Sequence, residues 1–142
     1  WRPLAYFISE HCDWLTTEQK ERLQDNSGFD FSEDEALSIA DTLQKKVDDG
    51  TAKERERINK KERKIAEEWN KGINKHRDAL SEIAKKETGN KSIVPYDYPT
   101  DIKKKWDDLQ NSTDNRASYP FRESNVEEFI RFLRECGGFQ VC

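Results

Sequence analysis

Near the two ends of this 142-residue chain, four side chains offer nitrogen or sulfur to a metal: His11, Cys12, Cys136 and Cys142. They would surround zinc if the termini met. The spacing argues against it. No Cys-x-x-Cys or His-x3-His pair is present, and the adjacent His11 and Cys12 point to different sides of any helix that carries them. Buried or idle thiols are therefore the expectation, with no metal and no cofactor. Three cysteines favour reduced thiols and a cytoplasmic setting, although one bridge plus one free thiol is the other arrangement they allow.

Catalytic signatures are lacking. The nucleophile elbow, the phosphate-binding glycine loop, the zinc-protease pair and the dinucleotide fingerprint are all absent. With 29 acidic residues, neighbouring carboxylates such as Asp107 and Asp108 carry no information. His76 lies in a helical seam, remote in sequence from any acid or nucleophile set. A non-enzymatic protein is expected.

Two charged features remain. The run Lys53, Arg55, Arg57, Lys60, Lys61, Arg63 and Lys64 would track phosphates, since each neutralised phosphate releases counterions. Glu54, Glu56 and Glu62 interleave it, and no aromatic does, so a solvated helix face is favoured over nucleic-acid binding. At the chain ends, Arg2 beside Trp1 would stack on the ring or clamp an anion. With Arg122 and Asn125 at the start of the last helix, it would line an anion pocket; caps and packing are the plainer reading.

The terminal motifs are Trp1-Arg2-Pro3-Leu4, Tyr119-Pro120-Phe121, Ser124-Asn125-Val126, Phe129 and Cys136-Gly137-Gly138-Phe139-Gln140-Val141-Cys142. This pattern resembles a group of uncharacterised bacterial and phage-type conserved proteins. Those begin with Trp-Arg-Pro-Leu and end in Tyr-Pro-Phe, Asn-Val and Gly-Gly-Phe-x-Ile/Val-Cys. Gly28 and the stretch from Glu33 to Gly50 share in the likeness. The resemblance implies no named activity; it admits an accessory or host-directed inhibitor role for a phage or mobile element. Members of the group often carry Cys-x-x-Cys pairs in the middle, where this chain has a charged helix, so a zinc role does not carry over.

The elements that must position these residues are helical. Lys, Arg, Asp and Glu make up 38% of the chain and hydrophobic residues only 33%, yet 25 basic against 29 acidic residues leave a net charge of −4. A folded domain with a thin core is expected rather than a disordered chain. No apolar run approaches the ~18–20 residues of a membrane span. The chain contains no Met and starts at Trp1, so upstream residues are expected. Ser32 with Glu35, Thr51 with Glu54, and Ser124 with Glu127 have capping-box spacing. Between them, Ala36, Ala40, Leu43 and Val47 share one helical face, and Ile58, Ile65, Trp69, Ile73, His76, Leu80 and Ile83 form a seam of roughly 3.5-residue period. Aromatic residues crowd into the two ends.

The reading is a mainly α single domain, 1–142. A small head is formed by both termini, 1–31 and 96–142, and a long charged helical hairpin, 33–87, is inserted between them. Residues 33–49 are expected to fold back on the first half of 52–87. Function is expected to lie in binding another protein or a second copy through the seam residues Ile65, Trp69, Ile73, Leu80 and Ile83. The alternative is a small-ligand or nucleic-acid-binding module using the basic residues; no membrane partner is expected.

Overall fold

A computed structural model describes residues 1–25 and 28–141. The fold is mainly α. In chain order the elements are α1 (Arg2–His11), α2 (Thr17–Asp25), β1 (Phe29–Phe31), α3 (Glu33–Asp48), α4 (Thr51–Thr88), a 3-10 turn (Pro95–Asp97), α5 (Thr100–Asn111), a second 3-10 turn (Asn115–Ser118), α6 (Glu123–Glu135) and β2 (Phe139–Val141). They form two compact units, one of Trp1–Lys61 with Tyr119–Cys142, the other of Glu62–Ser118. Helix α4 runs through Gly72 without a break and contributes to both.

The first unit is built from both termini. Helix α3 is opened by a capping box in which the Ser32 amide donates to Glu35 Oε2 at 2.8 Å and the Glu35 amide to Ser32 Oγ at 3.3 Å. Its apolar side, Ala36, Ile39, Ala40 and Leu43, is fully buried. It packs chiefly on α6, whose buried side is Val126, Ile130 and Leu133. The sequence pairs α3 with α4; in the fold that apolar side goes to α6 instead. The reason lies in α4, whose first turns offer only Ala52 as a buried apolar residue there. The head accordingly includes α3, and α5 belongs to the other unit.

A short strand pair ties the last residues of the chain to the segment before α3. β1 and β2 run antiparallel, with Phe29 opposite Val141 and Phe31 opposite Phe139. The rings of Phe31 and Phe139 stack at 4.8 Å. Gly138 makes the return possible: its φ is +113°, and a Cβ there would lie 2.9 Å from the Phe31 carbonyl oxygen. Trp1 closes the head by donating its indole N–H to the Leu23 carbonyl at 2.9 Å.

Two expected caps are differently made. The amide of Thr51 donates to Asp49 Oδ1 at 2.9 Å, while Glu54 is held by the Arg57 guanidinium, Nε to Oε2 at 2.7 Å. At α6 the helix begins one residue before Ser124, and the Glu123 amide donates to Glu56 Oε2 of α4 at 2.9 Å. A carboxylate from a neighbouring helix thus takes an otherwise unpaired N-terminal donor.

The second unit is a short helix pair. Ala84, Tyr98 and Ile102 form its buried centre, with Leu80, Ile93 and Trp106 packed against it. Such a centre is small, and polar contacts do much of the holding. The Ser81 hydroxyl bonds the Tyr98 hydroxyl at 2.7 Å, and the Arg77 guanidinium lies 4.6 Å from the Trp106 ring centre.

Candidate functional site

Helix α4 carries two stripes, one turned inward and one outward. The inward stripe within the second unit is Arg63, Ala66, Asn70, Ile73, Arg77, Leu80 and Ala84, recurring every three or four residues. Two of its polar members, Arg63 and Asn70, read the backbone of the segment after α5. Arg63 Nε donates to the Ala117 carbonyl at 3.3 Å, and Asn70 donates to the Asp114 carbonyl and accepts from its amide, both at 2.9 Å. Within the first unit α4 acts in the same way, with Asn59 Oδ1 accepting the Phe121 amide at 2.8 Å. This polar stripe is invisible to a reading that follows apolar residues. The signal that would have found it is the 4-3 spacing of Asn and Arg among the alanines.

The candidate partner residues therefore divide. Ile73 is only 7% exposed, and Leu80 packs on the Tyr98 and Ile102 centre. Both pack within their own chain, so the expected seam divides into packed and exposed residues. Ile65, Trp69 and Ile83 are 68%, 57% and 45% exposed. Adjacent helical residues lie about 100° apart around the axis, so an approximate 3.5-residue seam had merged two stripes. Trp69 is anchored while exposed: its indole N–H donates to the Ser112 carbonyl at 2.8 Å. Beside the outward stripe runs a groove of about 460 Å³ between α4 and α5, floored by Ala79, Leu80 and Leu109 and edged by His76, Lys105 and Asp108.

In the first unit, Trp1, Arg122 and Asn125 line one shallow groove of about 360 Å³ with Leu4, Phe129 and Phe132. Trp1 packs edge-on against Phe129 at 5.4 Å between ring centres. Arg2 is not part of that lining; its guanidinium lies 5.9 Å from the Tyr119 ring centre.

The basic run is divided as well. Arg57 pairs with Glu54, and Arg63 bonds both Ala117 and Glu67. Arg55 is half-buried, whereas Lys53, Lys60, Lys61 and Lys64 are exposed. Lys53, Arg57, Lys60 and Lys64 share one side of α4 by their spacing, with no aromatic ring among them.

Among the described residues no group of three or more His, Cys, Asp or Glu side chains is placed to hold a metal. Burial pushes the Cys12 thiol up to about 11, against a smaller opposing contribution from the Thr42 hydroxyl. Cys136 is half-buried with its thiol toward the Leu133 carbonyl at 3.6 Å. Cys142 lies outside the described residues. Burial also holds His11 below its ordinary value, with its ring edge-on to Phe7 at 4.5 Å. No described helix is long and apolar enough to cross a membrane. Compared with protein-family models, curated proteins and solved structures, the chain matches none.

Proposed function

We propose that this is a non-enzymatic protein-interaction module that works through the outward stripe of α4. The observation that carries the reading is Trp69, a ring tied down at its N–H by Ser112 and yet more than half exposed, with Ile65 and Ile83 exposed along the same helix. A rigid exposed indole loses little conformational freedom on binding, which is why tryptophan anchors many interfaces. Burial of the Cys12 thiol and the free thiol of Cys136 agree with a reducing, cytoplasmic setting, which is part of the proposal. Through the likeness of its terminal motifs, the reading extends to an accessory or inhibitor protein of a phage or mobile element, acting by occupying another protein's surface.

The test is affinity capture with the native protein and with Ile65→Glu and Trp69→Ala variants. Bound protein, a second copy included, is expected to fall at least tenfold with either change and to persist with Lys91→Glu. Full retention by both variants would remove the outward stripe from consideration.

A second reading is favoured by the convergence of Trp1, Arg122 and Asn125 on one groove. It is a site for a small anion with an apolar body, and Arg122→Ala abolishing ligand-induced quenching of tryptophan fluorescence is its signature.

A further inference from the structure

We propose that the outward stripe of α4 takes a second copy of this chain, the two α4 helices running antiparallel with Trp69 of each copy seated over Gly72 of the other. The proposal rests on the reading of α4 as an interaction helix and names its occupant.

Spacing is the first argument. Ile65, Trp69, Gly72, His76, Ala79 and Ile83 recur at intervals of 4-3-4-3-4, the repeat of a helix that packs along a partner helix. This is a second such repeat on α4, separate from the one occupied by the chain's own contacts.

Gly72 is the second. It lies in the interior of a 38-residue helix, where glycine is weaker than alanine. A Cβ added at Gly72 would meet no atom of the described residues within 4 Å, so no close contact among them requires the glycine. Its missing side chain leaves a hollow on the exposed stripe, one turn from the exposed indole of Trp69. Two copies related by a two-fold axis between Trp69 and Gly72 fill each hollow with the other's ring. Parallel helices in register would instead set indole beside indole and hollow beside hollow.

Charge is the third argument, and it selects the register. On the flank away from α5, Glu68, Lys75 and Glu82 are exposed, alternate in sign and stand seven residues apart. With Trp69 over Gly72, Glu68 of each copy comes beside Lys75 of the other, giving two attractive pairs. Sliding by one repeat, so that Trp69 lies over Ala79, would oppose Lys75 to Lys75 and Glu68 to Glu82. Among the described residues Lys75 has no ion-pair partner, while Glu68 pairs with the exposed Lys71 at 3.0 Å. Such flanking charges set orientation more than affinity.

Sedimentation equilibrium of the whole chain across a wide concentration range tests this. The native protein is expected to move from one to two copies with rising concentration, and to dimerise more weakly in high salt. Lys75→Glu is expected to raise the dimer dissociation constant at least tenfold, and the double change Glu68→Lys with Lys75→Glu to restore it. Gly72→Leu should abolish pairing while circular dichroism shows the helix retained. A dimer indifferent to Lys75→Glu, or one that survives Gly72→Leu, overturns the register. A monomer at every concentration overturns self-pairing. If that monomer still captures another protein in an Ile65-dependent way, the interaction reading stands without it; if it does not, both fall.

Discussion

Asn70 and Asp114 exchange two hydrogen bonds, amide nitrogen to carbonyl oxygen and backbone N–H to amide oxygen, each 2.9 Å long. Both partners on Asp114 are backbone atoms, so the pair reads chain position and not residue type. One side chain of α4 thus fixes the segment that leaves α5. Asn70→Ala strands a donor and an acceptor and is expected to cost about 1–3 kcal/mol. Asn70→Asp keeps the acceptor but opposes a carboxylate to a carbonyl, so it should not rescue. Urea unfolding and faster hydrogen exchange at the Asp114 amide are the readouts.

Two glycines should respond in opposite directions. Gly138→Ala forces a positive φ on a residue with a Cβ and drives that atom toward the Phe31 carbonyl. A loss of about 1–3 kcal/mol is expected. Gly72→Ala meets nothing within 4 Å and, in the dilute monomer, should gain about 0.5–1 kcal/mol of stability. Denaturant midpoints measured at low protein concentration compare them directly.

Thiol reactivity should be graded by burial. With its thiol pushed up to about 11 and no exposed surface, Cys12 should resist iodoacetamide at neutral pH until the chain unfolds. Half-buried Cys136 should react sooner. Peptide mass mapping after timed alkylation separates the two. Early labelling of Cys12 would mean that the head opens locally.

Acid should weaken the start of α3. The Ser32 amide and hydroxyl hold the Glu35 carboxyl below its ordinary value of 4.5, with Gln19 adding to the effect. The unfolded chain then binds the proton more readily, so the stabilisation is complete above 4.5 and is lost as pH falls through the folded value. Glu35→Gln should flatten that part of the stability–pH curve. Ser32→Ala should cost about 1 kcal/mol at neutral pH through the lost cap. Thermal melts between pH 3 and about 7 check both.

Local rules carry far in this chain, and their limits are physical. The place of the long charged helix, the Ser32–Glu35 box and the shared face of Ala36, Ala40 and Leu43 were legible, because each depends on neighbours within a turn or so, whereas the unbroken run of α4 through Gly72 was not. Trp69 could be singled out as the one aromatic residue in the charged middle. Its exposure could not, because that depends on where α5 lies. The division of the apparent seam into packed Ile73 and Leu80 and exposed Ile65, Trp69 and Ile83 was decided by tertiary contacts, for Leu80 those with Tyr98 and Ile102, between residues far apart in sequence. Likewise, periodicity cannot distinguish an asparagine facing solvent from one facing a backbone, so the roles of Asn59 and Asn70 came only with the fold. Helix identity was thus set along the chain by spacing and caps, whereas helix partnership, and with it the surface left for a partner, was set by which apolar side found another to bury against.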